Sequence, residues 1–288
     1  MASRVPSKFN IKTTYKLNSG HSIPVLGYGV YQTPADVCEE VSLHALKAGY
    51  RHIDSARAYR NERPCADAMA KSGLKREDIF FTSKVPPKAM GYDNTKNAIE
   101  SSFSETGLSY IDLYLIHSPY GGKEARLGSW KALVEAQKEG KIRSIGVSNY
   151  GVHHLDELEE YIKSSQDGSH IDVGQWEIHP WLPRDDIVKW SQKRNVVIEA
   201  YCPIVRGERA NEEILKTLGK KHGKTWAQIL LRWSLQKGYV PLPKSVTPAR
   251  IDQNADIYDF ELDADDMKSL HFPDSYAPCA WDPTTSHD

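Results

Sequence analysis

The 288 residues carry 37 basic against 38 acidic side chains, a net charge of −1, and 40% apolar residues. Such a chain can bury a large core, and its balanced charge offers no track for nucleic acid and no surface for an anionic membrane. No apolar run approaches the roughly 20 residues that cross a bilayer, and the first residues, MASRVPSKFNIKTTYK, lack the apolar core of a secretory signal; the expectation is a cytoplasmic chain. Cys38, Cys65, Cys202 and Cys279 are widely scattered, with neither CxxC nor zinc-finger spacing, so free thiols and no metal are expected.

In chain order, Thr14 to Leu17 and Ser22 to Val25 flank the turn-forming Asn18-Ser19-Gly20, which predicts a hairpin over about 14–25. Strand and helix patterns then alternate. Predicted strands are 25–30, 52–56, 79–85, 110–118, 142–149, 172–178, 196–203 and 239–245. Predicted helices are 35–48, 61–72, 93–106, 128–139, 153–163 and 185–194, then 212–221 and 226–236, with 248–255 opening the last. Eight strand–helix units with right-handed connections close as a (β/α)8 TIM barrel. With no internal linker and no low-complexity stretch, residues 1–288 read as one domain, with the N-terminal hairpin, an extra C-terminal helix and a tail from about 271 to 288.

The alternative is a doubly wound open sheet. Against it, Gly27-Tyr28-Gly29 lacks the third glycine of a GxGxxG fingerprint, Gln32 standing there instead. The two glycines are read as letting a strand end turn tightly.

A barrel of this kind collects its strand ends on one face, where active sites are built. The polar residues there are Asp54, with Tyr59 in the loop beyond it, Lys84, His117, Ser148-Asn149, Gln175, Tyr201 and Lys244-Ser245. Each has a structural alternative. Lys84 could snorkel along the rim, His117 could bond a backbone carbonyl, and Ser148-Asn149 could cap the helix near Val152. Together, an Asp, a Lys, a Tyr and a His at one mouth must satisfy one another's charges. Asp54 would hold Lys84, Lys84 would lower the pKa of Tyr59, and Tyr59 with His117 would stabilise a carbonyl oxygen gaining negative charge. That set suits carbonyl reduction. It offers one good neutral nitrogen ligand, too few for a zinc hydrolase, and no GxSxG elbow is present.

Three motifs, GYRHIDSARAYRNE (49–62), YIDLYLIH feeding IRSIGVSN with QWEIHPWL after it, and LPKSVTPARIDQN, make essentially the whole chain resemble the aldo-keto reductase superfamily. The resemblance implies a barrel that binds nicotinamide cofactor without a Rossmann domain and transfers hydride from nicotinamide C4 to an aldehyde or ketone. It implies a catalytic tetrad of Asp54, Tyr59, Lys84 and His117. Ser148, Asn149 and Gln175 are implied at the carboxamide and Tyr201 on the nicotinamide ring, with Cys202 and Pro203 beside it, Cys202 standing where a Ser is common. Lys244, Ser245, Val246, Thr247, Arg250, Gln253 and Asn254 cluster at a predicted helix start, where basic side chains hold phosphate; NADPH is expected over NADH.

Tyr31 stands where many relatives have Trp, Ser118 follows the His where many have Trp, and the segment Pro119 to Ser129 is short. These departures look nearer to fungal and bacterial members. Tyr28, Tyr31, Ser118 and Trp281 are the expected substrate-pocket residues, with the Ile204–Ala210 loop and the tail. Trp281 either folds over the mouth or packs on the barrel side. An NADPH-binding regulatory subunit with negligible turnover is the alternative function, and a phosphate-binding barrel enzyme without nicotinamide a third; no obligatory protein partner is visible.

Overall fold

The computed structural model describes Pro6 and residues 8–288. The reading of the first residues as lacking a signal falls partly on positions 1–5 and 7, outside the described residues. An antiparallel hairpin, β1 (Thr14–Lys16) and β2 (Ser22–Pro24), precedes eight parallel strands. These are β3 (Tyr28–Gly29), β4 (His52–Asp54), β5 (Phe80–Val85), β6 (Ile111–Ile116), β7 (Ile142–Ser148), β8 (Val173–Glu177), β9 (Val197–Tyr201) and β10 (Val240–Leu242), each paired with the next in sequence. The helices are α1 (Ala35–Lys47), α2 (Glu62–Lys71), α3 (Tyr92–Thr106), α4 (Gly122–Lys138), α5 (Val152–Ser165), α6 (Asp185–Lys193), α7 (Glu213–His222), α8 (Trp226–Gln236), α9 (Pro248–Ala255) and α10 (Ala264–Ser269). None is long and apolar enough to cross a membrane, among the described residues.

The (β/α)8 barrel is therefore present. Its strands are buried on both faces, which is why β6, IDLYLI, is buried at every position. Asp112 is tolerated inside that run because its Oδ2 accepts from Arg76 at 2.6 Å and from the Phe81 amide at 3.0 Å.

The barrel closes between β3 and β10 by backbone bonds from Gly27 N to Pro241 O (3.1 Å) and Gly29 N to Pro243 O (3.0 Å). A Cβ on Gly27 would stand 2.4 Å from Leu242 Cδ2 and 2.7 Å from His52 Nδ1. Close approach at the seam, not a tight turn, is the reason for this glycine. The same seam cuts the expected strand 25–30 to two residues and 239–245 to three.

One helix boundary moved far. α4 begins at Gly122, six residues before the expected start, because Lys123 to Leu127 are good helix formers. Most of Pro119–Ser129 is thus helix rather than loop. Buried Arg126 anchors it by a bidentate pair to Glu157 of α5 (2.8 and 3.1 Å). Helix α10 follows the helix expected to be last, and its N-cap Asp263 accepts from Asp266 N.

Candidate active site

The strand ends meet at a cavity of about 780 Å³. At its floor the Lys84 ammonium, fully buried, donates to Asp54 Oδ1 at 2.8 Å and to the Ser55 carbonyl at 2.7 Å, and lies 3.5 Å from the Tyr59 hydroxyl. Tyr59 Oη is 3.5 Å from His117 Nε2. The register places them: Asp54 ends β4, Lys84 is in β5, His117 follows β6, and Tyr59 ends the short turn Arg57–Tyr59. The rim-snorkelling alternative for Lys84 is excluded by its burial.

Electrostatics at the floor run against one expectation. Burial pushes the Tyr59 phenol well above its ordinary range, and the Asp54 charge adds to this. The Lys84 ammonium does not bring the phenol below its ordinary range, because desolvation of a phenolate here outweighs the attraction. The same burial, with the Lys84 charge, holds His117 well below 6.5. The floor therefore presents a protonated phenol and a neutral imidazole.

Above the floor, Asn149 Nδ2 donates to the His117 carbonyl (3.0 Å) and Ser148 Oγ (3.1 Å), while its Oδ1 accepts from the Tyr201 hydroxyl at 2.8 Å. Ser148 Oγ donates to the Gln175 carbonyl and is fully buried, so it supports Asn149 from behind. Neither residue caps α5, whose N-cap is Gly151. Gln175, Tyr201, Cys202 and Pro203 line the cavity. Gln32, Asn149 and Cys202, all at its wall, hold φ of 55°, 63° and 48°. For non-glycine residues this is strained backbone, and such strain gathers at functional sites.

At the far end Lys244, Ser245, Arg250, Gln253 and Asn254 line the wall, and α9 starts just beyond them. Val246 is exposed outside the lining, and Thr247 is the N-cap of α9, its amide bonded to Ser245 Oγ at 3.0 Å. Lys244, Arg250 and Arg206 line the cavity, and none is paired with a carboxylate among the described residues. Asp54, the lone lining carboxylate among them, is held by Lys84. A cavity with Lys244 and Arg250 where α9 begins and hydrogen-bonding side chains at the strand ends fits an extended anionic ligand.

A model of the aldo/keto reductase family matches residues 26–271. The chain belongs to that family. An oxidoreductase of Schizosaccharomyces pombe is 42% identical over 279 residues, 94% of this chain and 97% of that protein. A glyoxal reductase of Bacillus subtilis is 40% identical over 264 residues, 91% of this chain and 92% of that protein. An aldo/keto reductase structure from Brucella melitensis is similar with a TM-score of 0.85 at 40% identity, covering 92% of this chain and 98% of its own. An aldo-keto reductase of Bombyx mori in complex with NADP gives 0.84 at 29% identity, covering 97% and 96%.

In this aldo/keto reductase the four expected pocket residues divide. Tyr31 (48% exposed) and Trp281 (40% exposed) line the mouth. The Tyr31 ring is 5.0 Å from that of Tyr59, and the Trp281 ring meets His117 edge-on at 5.9 Å. Tyr28 does not reach the cavity: it is buried, and its hydroxyl donates to the Ser245 carbonyl at 2.6 Å. Ser118 is fully buried behind His117 in the chain and outside the lining. Trp281 takes the mouth position because buried Glu177 accepts from the amides of Cys279 (2.6 Å) and Ala280 (3.0 Å), and Arg184 donates to Asp282 and Thr284 at 3.0 Å each.

Trp226 and Thr225, at the start of α8, also line the cavity and were missed. Their signal was the capping box Thr225-x-x-Gln228, which marks a helix N-terminus but not the direction it faces. Among the described residues two clusters have metal-ligand types, His52-Asp54-Glu199 and Glu177-His179-Cys279. In the first, Lys84 and Gln175 already occupy Asp54. In the second, His179 and two tail amides occupy Glu177.

Proposed function

We propose that this reductase converts an aldehyde or ketone to the alcohol with NADPH, Tyr59 acting as general acid. The observation that carries the reading is the cavity floor, where buried Lys84 joins Asp54 to Tyr59 beside neutral His117. The cofactor fits the residues present: Lys244 and Arg250 suit its 2′-phosphate, Asn149 and Gln175 its carboxamide, and the Tyr201 ring its nicotinamide. When bound, reduced nicotinamide supplies a hydride to the carbonyl carbon.

The chain's own groups manage the oxygen. Tyr59 and His117 present hydrogen-bond donors where negative charge develops. The phenol stays protonated throughout the neutral range and gives its proton to the forming alkoxide, a stronger base than phenolate. Lys84 stabilises the phenolate left behind, and Asp54 keeps Lys84 charged and in place. Tyr31 and Trp281 narrow the mouth and favour substrates with an apolar body; the Tyr120 ring, outside the lining, meets that of Trp281 at 5.8 Å.

The test is NADPH oxidation by the purified protein with short, aromatic and dicarbonyl aldehydes, alongside Tyr59→Phe. Loss of about 10²–10⁴ in kcat is expected for the variant, the usual worth of a general acid. No oxidation with any aldehyde, or full activity in Tyr59→Phe, would sink the proposal.

A further inference from the structure

Beneath the cavity, two carboxyl groups face one ammonium. Gln175 Nε2 donates to Asp54 Oδ2 at 2.8 Å and to Glu199 Oε2 at 2.8 Å, and Asp54 Oδ1 accepts from Lys84. Glu199 is in β9, two residues before Tyr201, and is fully buried. Its other oxygen, Oε1, lies 3.4 Å from His52 Nε2 and makes no hydrogen bond among the described residues. Both amide hydrogens of Gln175 are thereby taken by carboxyl oxygens, which leaves its own oxygen as the group without a hydrogen bond among the described residues, in a side chain that lines the cavity.

We propose that Glu199 is a positioning residue: paired with Asp54 across the Gln175 amide, it turns that amide so that the carbonyl oxygen, an acceptor, is what the cavity offers a ligand N–H. The identity of the ligand, the carboxamide of NADPH, rests on the function proposed above. An amide free to flip would present a donor to that carboxamide as often as an acceptor. Asp54 opposes the flip by engaging one N–H group, and Glu199 completes the hold by engaging the other.

The arrangement is also sensitive to pH. Facing Glu199 are His52 and Asp54 from β4, Lys84 from β5 and Gln175 from β8; β10, on its other side, brings no titratable group. Burial, then the charge of Asp54, push Glu199 up to about 8. Burial and Lys84 hold His52 down to about 3, so it is no counter-ion. Below pH 8 Glu199 is a neutral acid that accepts from Gln175 through Oε2 and carries its proton on Oε1. Above it, a second anion in the dry barrel competes with Asp54 for Lys84 and adds to the field on Tyr59.

The test measures NADPH affinity by quenching of tryptophan fluorescence, and the infrared band of a protonated carboxyl, in the wild type, Glu199→Gln, Glu199→Leu and Cys202→Ser. The wild type should bind NADPH several-fold more weakly at pH 9 than at pH 7, with a midpoint near 8. Cys202→Ser should keep that midpoint and Glu199→Gln should lose it. Glu199→Leu, lacking the acceptor, should weaken binding at pH 7 about tenfold, the worth of one hydrogen bond. The wild-type apoprotein should show the carboxyl band fading near pH 8, and Glu199→Gln should lack it. A midpoint that survives in Glu199→Gln, undiminished affinity in Glu199→Leu, or no such band in the wild type at pH 7 would each overturn the proposal. Should Glu199→Leu not fold, the Glu199→Gln and infrared arms decide. Binding with this profile but no turnover would defeat the proposed function and leave the role of Glu199 standing.

Discussion

Lys84 has no access to solvent, and its ammonium is divided between the Asp54 carboxylate, the Ser55 carbonyl and the Tyr59 hydroxyl. A buried cation persists only when its partners are fixed. Asp54→Asn therefore leaves a buried charge unpaired, and its cost should be about 3–5 kcal/mol of folding stability, measured by urea unfolding. Turnover should fall less than in Tyr59→Phe, since Ser55 and Tyr59 still hold Lys84; the reverse ranking would mean the roles are exchanged. The residue scale is also where expectation and structure diverge most. The shift of Tyr59 was read from the Lys84 charge alone, and burial sets the net shift in the opposite direction. Tyr28 is named by its place at a strand end, yet its hydroxyl is taken by the Ser245 carbonyl.

The tail from His271 and helix α9 are the elements that finish the cavity. Glu177 fastens the tail from inside the barrel, and Phe272 stacks on Trp181 with ring centroids 5.5 Å apart. Glu177→Gln replaces one acceptor by a donor facing a backbone N–H. Charged hydrogen bonds of this kind contribute about 1.5–3 kcal/mol. The variant should raise KM for the carbonyl several-fold and expose the tail to protease, with the barrel still folded by circular dichroism. Unchanged KM and protease resistance would mean that the Arg184 contacts alone hold Trp281 in place. At the other end, Lys244 and Arg250 stand without a carboxylate partner among the described residues where α9 begins. The double change to Ala should raise KM for NADPH about 10–100-fold, two charge-assisted contacts' worth, and leave NADH nearly unaffected. An equal loss for both cofactors would show that these side chains read the pyrophosphate rather than the 2′-phosphate.

At the scale of the whole molecule, the site depends on a closed ring of strands, and the ring closes at Gly27 and Gly29. Gly27→Ala would drive a methyl into Leu242 and His52. Overpacking of this sort costs about 1–3 kcal/mol, so thermal unfolding should come at lower temperature; an unaltered midpoint would show that the seam yields at no cost. His52 lies beside Glu199, so the strain should reach the cavity floor.

What the sequence determined by itself is the alternation of strand and helix, the eight units, and the residue types at each strand end, because periodicity and end position are local properties. The positions of Asp54, Tyr59, Lys84 and His117 at one mouth were legible for that reason, and the bounds of α8 and α9 match the helices expected at 226–236 and 248–255. Tertiary structure decided the rest, because it depends on distances between residues remote in the chain. It brought Cys38 Sγ to 3.6 Å from Cys65 Sγ, turned Trp226 and Trp281 to the cavity, and set Glu199 under Gln175. It also decided the ionisation of Tyr59, since the free energy of a buried charge is set by everything packed around it, and no spacing along the chain records that.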